Sequence, residues 1–257
     1  MGPSDDDDPS DDDDLIDGRI GKVGRMLFLH EVHEVKGARE DEFEAAYRDG
    51  WMPTLAKGDD ARLLWYLHHA HGSGPAYHMV TITAIRDGAA WEALAHRMQR
   101  GDLSQWGREL DELRHGVTAK MLLPVPWSPM QDIDLSTVPT DGAHHDLSIY
   151  MEDTGWPHAA VDDYVDFWEK GYYRPMKARD GTLLDIQVVF QTALGSGRRK
   201  EAILMQKIVN HDMLLHLLTH EVPDQMRQPG QFMHDALAYR DRWESKLLRT
   251  SAWSPLY

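Results

Sequence analysis

The chain has 257 residues, no cysteine and a formal net charge of −16. Without thiols, disulfides, thiolate nucleophiles and thiolate metal sites are excluded, so any metal must be held by His, Asp or Glu. The acidic balance argues against a nucleic-acid partner, whose phosphates attract clustered Lys and Arg, and no apolar run approaches the ~18 residues that span a bilayer.

Residues 1–25 carry nine Asp against Arg19, Lys22 and Arg25. The run Asp5 to Asp8, Pro9-Ser10, Asp11 to Asp14 has no hydrophobic period, which predicts a disordered, solvated tail. It lacks the Gly turn and closing Glu of an EF-hand loop. The N-terminus is acidic where a signal peptide would be basic and then apolar, so the expected location is cytoplasmic.

From Met26 the pattern changes to alternating strands and helices. Met26 to Val35 reads as a strand, Asp41 to Leu55 as a helix with Phe43, Ala46, Tyr47 and Met52 on one face, and Leu63 to His71 and Tyr77 to Ile85 as two strands joined through Gly72-Ser73-Gly74-Pro75. Ala89 to Arg100 starts a second helical region that resumes through Leu110 and Leu113, and Val117 to Leu123 closes the unit. Residues Gln131 to His145, rich in Asp, Pro, Thr and Gly, form a linker. The same order then returns, with strands near Leu147 to Glu152, Leu184 to Thr192, Glu201 to Val209 and Trp243 to Arg249. Helices are expected near Ala159 to Gly171, Asp212 to His220 and Gln231 to Arg240.

Landmarks point to a duplication. His71-Gly72-Ser73-Gly74 answers Leu194-Gly195-Ser196-Gly197, Gly50-Trp51-Met52-Pro53 answers Gly171-Tyr172-Tyr173-Arg174-Pro175-Met176, and Trp127-Ser128-Pro129 answers Trp253-Ser254-Pro255. The division is therefore a tail at 1–25, a first repeat at 26–130, a linker at 131–145 and a second repeat at 146–257. Each β-α-β-β-α-β repeat makes a four-stranded antiparallel sheet with helices on one face, leaving the other face bare. Two bare faces packed together give an α+β fold of two fused ferredoxin-like repeats forming a pseudo-dimeric, eight-stranded α/β barrel.

This element order, the Gly-Ser-Gly hairpins and the paired Trp-Ser-Pro ends resemble the dimeric α/β-barrel superfamily, as a tandem NIPSNAP-like or EthD-like protein. The resemblance covers residues 26–257 and carries no catalytic motif. It implies a fold used by cofactor-free monooxygenases, small-ring isomerases, polyketide cyclases and haem enzymes such as chlorite dismutase and aldoxime dehydratase, so it does not choose a chemistry.

Strand alternation divides candidate residues between helix-facing and barrel-facing positions. Positions apolar in both copies, such as Leu27 with Leu147, Leu29 with Ile149 and Val80 with Ile203, are read as helix-facing. The barrel then receives Phe28, His30 and Val32 against Ser148, Tyr150 and Glu152; Arg62, Leu64, Tyr66 and His68 against Asp185, Gln187, Val189 and Gln191; and Thr81 and Thr83 against Leu204 and Gln206. So polar an interior suggests a ligand cavity or a mutually satisfied polar seam.

The leading expectation is a small-molecule enzyme using acid/base chemistry in the barrel, as an isomerase, cyclase, lyase or cofactor-free oxygenase. His30 or His68 moves the proton, Glu152 or Asp185 orients it, and Tyr66 or Tyr150 stabilises negative charge. A non-catalytic ligand-binding or assembly protein is the alternative. No cofactor is expected. If a metal is present, His30, His68 and His78 are its candidate ligands, and a haem would draw on His211, His216, His220 or His234. The expected partner is a small organic substrate, with no nucleic acid and no membrane, and the chain is a monomer or a homodimer.

Overall fold

The computed structural model describes residues 26–195 and 200–257. The tail expected at 1–25 and the Ser196-Gly197 part of the second hairpin lie outside the described residues. The first repeat runs β1 (Leu27–Val35), α1 (Glu40–Ala45), a π-helical turn (Ala46–Trp51), α2 (Met52–Leu55), β2 (Ala61–His69), β3 (His78–Ile85), α3 (Gly88–Arg100), α4 (Leu103–Leu113) and β4 (Arg114–Pro124). The second runs β5 (Ile149–Pro157), α5 (Val161–Trp168), a π-helical turn (Glu169–Tyr173), α6 (Arg174–Lys177), β6 (Leu184–Gly195), β7 (Ala202–Ile208), α7 (His211–Thr219), α8 (Phe232–Asp235) and β8 (Arg240–Thr250). Each π turn leads into a proline, Pro53 or Pro175, which cannot donate the next i→i−4 bond.

The eight strands close into one antiparallel barrel in the order β1-β3-β2-β8-β5-β7-β6-β4. Its two seams, β2 with β8 and β4 with β6, join the repeats, and reciprocal hydrogen bonds fix both. Val125 N donates to Val189 O at 3.0 Å, and Val189 N donates to Ser128 Oγ at 2.9 Å. Ser251 N donates to Tyr66 O at 3.1 Å, and Tyr66 N donates to Ser254 Oγ at 3.0 Å. Each Trp-Ser-Pro end therefore crosses onto the second strand of the other repeat. Its indole anchors on the first helix of that repeat, Trp127 Nε1 on Val165 O at 3.2 Å and Trp253 Nε1 on Glu44 Oε1 at 2.6 Å.

The barrel interior is filled and largely apolar, with His30 and Glu152 paired inside it. Phe28, Trp65, Ile82, Leu122, Tyr150, Val188, Phe190, Met205 and Leu248 pack as one buried cluster, as expected of an eight-stranded barrel just wide enough for its own side chains. Of the polar residues read into the interior from the sequence, His30 and Glu152 are there as a satisfied pair, while most of the others are not. One residue bulges out of register in β2, between Leu63 and Trp65, and one in β6, between Ile186 and Val188. A bulge reverses the alternation beyond it, so Tyr66 and His68, and likewise Val189 and Gln191, turn to the helix side. The β3 and β7 assignments are also reversed: Val80, Ile82, Ile203 and Met205 face the barrel, while Leu204 packs under the second repeat's helices. Positions apolar in both halves mark the barrel core as well as the helix face. In β1 the reading holds, with Leu29 under the helices and Phe28 inside.

If the crossed ends hold the seams, Ser128→Ala and Ser254→Ala each strand a buried backbone N–H. Each is expected to cost about 1–3 kcal/mol in urea unfolding, and the two effects should add because the sites are separate. Unchanged midpoints in both variants would count against this role.

Candidate active site

The barrel's polar contents lie around its pseudo-twofold axis. His30 Nε2 donates to Glu152 Oε2 at 2.8 Å, and the two residues are 122 positions apart. That offset makes them counterparts, because His30 pairs across the sheet with Ile82 as Glu152 pairs with Met205. The sequence comparison, which set His30 against Tyr150 and Val32 against Glu152, is therefore shifted by two residues. Lys246 approaches Glu152 at 3.4 Å, and Lys120 pairs with Glu201 at 2.6 Å. Burial pushes the Glu152 carboxyl up, but His30, Lys246 and Lys120 outweigh it and hold the group well below the usual range. His30 and Glu152 are paired within packed side chains, with Lys246 and Lys120 reaching in from partly exposed positions.

The remaining sequence candidates are dispersed. His68 sits on the helix side, with Nε2 2.9 Å from Ser251 Oγ and 3.3 Å from Glu44 Oε2. Glu44 is raised by burial but drawn down to about 2 by hydrogen bonds from His68, Ser251 and Trp253. This cluster fastens β2 and the C-terminal end to α1. Tyr66 packs at 4.7 Å between ring centroids on Trp253. Tyr150 lies inside the barrel against Trp65. Asp185 is half-exposed at 49% and pairs with Lys177 at 3.5 Å. His30 and His68 face opposite sides of the sheet and His78 bonds Ala76 O at 3.1 Å, so these three cannot share a metal. Among the described residues, no group of three His, Asp or Glu side chains is arranged to hold one.

The cavity lies on the other face of the sheet, in the second repeat. It has a volume of about 640 Å³ and is walled by Trp168, Tyr172, Met176, Leu204, Met213 and Phe232. Its origin is an asymmetry of cover. In the first repeat, α3 and α4, of 13 and 11 residues, cover the sheet, and Phe43, Tyr47, Trp51 and Leu110 fill the space beneath. Trp106 of α4 lies so close to the π turn that a Cβ on Gly50 would come within 2.2 Å of its ring. In the place of α3 and α4 the second repeat has α7, of nine residues, and α8, of four, with short 3-10 turns at Asp224–Arg227 and Ala236–Ala238. Opposite its matching Gly171, the nearest side-chain atom belongs to Phe232 at 3.3 Å.

Four charged residues line this largely apolar space: Arg179 and Asp180 are exposed, whereas Asp153 and Arg240 are each only 7% exposed. Asp153 projects from β5 toward the helices. Gln206 Nε2 donates to Asp153 Oδ2 at 2.8 Å, and the Tyr172 hydroxyl donates to Gln206 Oε1 at 2.8 Å. Asp153 Oδ1 and Arg240 Nε have no hydrogen-bond partner among the described residues. Burial raises the Asp153 carboxyl to about 6, with Ser245, Arg240 and Gln206 offsetting part of the shift. Burial also pushes the Tyr172 hydroxyl up, keeping it a neutral donor. A buried carboxylate raised toward neutrality and held by Gln206 in the wall of an apolar cavity has the properties of a candidate general base. The adjacent guanidinium can stabilise the anion that base creates.

Asp153 and Arg240 were not singled out in the sequence, yet a signal was present. At the 122-residue offset Asp153 falls opposite Glu31, and Arg240 opens β8 as Arg114 opens β4. Burial raises Glu31 as well, with Arg114 and Thr81 opposing it. The repeat therefore carries an acid and an arginine at matching places in both halves, and only the second copy of the pair opens on the cavity. Among the histidines considered for haem, His216 and His220 stack on each other at 4.0 Å and His234 bonds Asp235. No histidine is among the cavity-lining residues, so the site does not fit a histidine-ligated haem.

This assignment separates the barrel pair from the cavity. His30→Ala leaves Glu152 buried without its hydrogen bond and is expected to destabilise the fold by about 3–5 kcal/mol. Binding of an apolar dye in the cavity, measured below the melting transition, should be unchanged; a lost dye site with an unchanged melting temperature would reverse the assignment.

No family model matches the chain, and no curated protein matches it. Solved structures do. An anthrone oxidase-like protein aligns over 88% of this chain and 92% of its own, with TM-score 0.53 and 9% identity. Chlorite dismutase from Candidatus Nitrospira defluvii, in complex with imidazole, aligns over 92% and 95%, with TM-score 0.50 and 9% identity. A NIPSNAP family protein from Agrobacterium tumefaciens strain C58 covers 41% of this chain and 98% of its own, at TM-score 0.35 and 16% identity. Among the described residues no helix is long and apolar enough to cross a membrane. The fold is that of the dimeric α/β barrels, with both halves carried on one chain.

Proposed function

We propose that this protein is a small-molecule enzyme whose general base is Asp153, acting in the second repeat's cavity and not in the barrel. The observation that carries the reading is a buried carboxylate, raised to about 6 and unpartnered at Oδ1, in the wall of an apolar cavity. The substrate is a small, largely apolar organic molecule with a weakly acidic C–H or O–H, since about 640 Å³ suits a drug-sized ligand. Asp153 removes the proton, Arg240 faces the resulting anion, and Gln206 with Tyr172 holds the carboxylate in position. Isomerisation, cyclisation, elimination and reaction with dioxygen can all begin at this step. The anthrone oxidase-like neighbour is consistent with the last, but at 9% identity it speaks only for the fold.

A generic carbon acid tests the base directly. In 5-nitrobenzisoxazole, removal of the ring C–H proton sends its electron pair into a nitrile and breaks the N–O bond, releasing a coloured phenolate. Turnover should rise with pH through about 6, where Asp153 ionises, and Asp153→Asn should lower it by about 100-fold or more. Wild-type turnover that survives this substitution would refute the assignment.

The same carboxyl should cost stability. Its pKa is raised above the ordinary 3.8, so the folded state binds a proton more tightly than the unfolded chain, and stability falls as pH rises from about 4 to about 6. Asp153→Asn is expected to stabilise the protein at pH 7 by as much as about 3 kcal/mol while abolishing turnover. Destabilisation at pH 7 would show that the ionised group is structural.

A further inference from the structure

Nine of the thirteen exposed large hydrophobic side chains among the described residues fall between Val209 and Trp243. They centre on α7, whose sequence His211-Asp212-Met213-Leu214-Leu215-His216-Leu217-Leu218-Thr219 buries only Leu214. Met213 and Leu217 border the cavity, while Leu215 and Leu218 are 63% and 61% exposed. A helix that is apolar nearly all round is normally covered on every side. By contrast α3 and α4 turn Glu92, Arg100, Arg108 and Glu112 outward, none of which the core needs.

We propose that α7 is covered by α7 of a second copy of this chain, packed antiparallel about a twofold axis. The polar groups flanking the apolar face favour this occupant. Asp212 stands in the first turn of α7, and the stacked His216 and His220 stand at its C-terminal end. Antiparallel pairing sets each Asp212 against the partner's His216 and His220 and opposes the two helix dipoles, so one patch complements itself. A lipid surface is the poorer match, because Asp212, Glu221 and Asp224 border the patch and the chain as a whole carries −16. Because Met213 and Leu217 edge the cavity from the same helix, the partner also closes off its rim. This inference does not depend on Asp153 being a base, and its test reads mass rather than turnover.

The experiment is sedimentation equilibrium of the full chain at about 50 µM, beside Leu215→Glu/Leu218→Glu and Asp212→Lys variants, with vesicle flotation on phosphatidylcholine alone. The expected result is twice the 29.4 kDa chain mass for the wild type. The Leu215→Glu/Leu218→Glu variant should run at the single-chain mass with unchanged circular dichroism, and Asp212→Lys should weaken association tenfold or more. If the double variant does not fold, Asp212→Lys decides alone. A monomeric wild type, a dimer untouched by the folded variants, or wild-type protein that floats with the vesicles overturns the proposal.

Discussion

A four-stranded sheet with helices on one face must bury its other face, and here the two sheets do so against each other. The resulting barrel is narrow, and Phe28, Trp65, Tyr150 and Phe190 with their neighbours fill it. That filling leaves no room for a ligand where the two repeats meet. What remains inside is a paired set of charges, His30 with Glu152 and Lys120 with Glu201, astride the pseudo-symmetry axis. The cavity lies instead on an outer face, between sheet and helices.

On those faces the duplication has diverged. The first repeat uses its helix face for packing: two full helices, a ring of aromatic side chains and Trp106 pressed onto Gly50. The second has exchanged the second long helix for short segments, and a cavity stands where side chains fill the first. The acid and arginine are present in both halves, as Glu31 with Arg114 and Asp153 with Arg240. Only the loss of cover converts the pair from a buried structural feature into a candidate site. The thinned cover also explains the apolar surface around α7, because residues that a longer helix would have hidden now face outward.

The repeat, the element order and the barrel were legible in the sequence because they rest on periodicity and on landmarks such as Trp127-Ser128-Pro129 and Trp253-Ser254-Pro255. The faces were not. A period-two argument fails beyond a bulge, and both copies bulge in their second strand, at Leu64 and at Gln187, which sent Tyr66 and His68 to the wrong side. The rule that shared apolar positions face the helices failed for a different reason: a filled barrel is itself a core, so Val80 and Ile203 agree because both are inside it. Asp153 escaped notice because a single acid in a strand has no motif. Its meaning comes from the cavity above it, and a cavity is an absence of side chains that no local pattern announces.

Everything proposed for the cavity rests on the buried carboxyl of Asp153, raised to about 6 in its wall. Carbon-13 NMR of protein labelled at the aspartate side-chain carboxyls reads this without any substrate. One carboxyl resonance should titrate near pH 6 and disappear in Asp153→Asn. An Asp153 resonance titrating at the ordinary value, about 4, would contradict it.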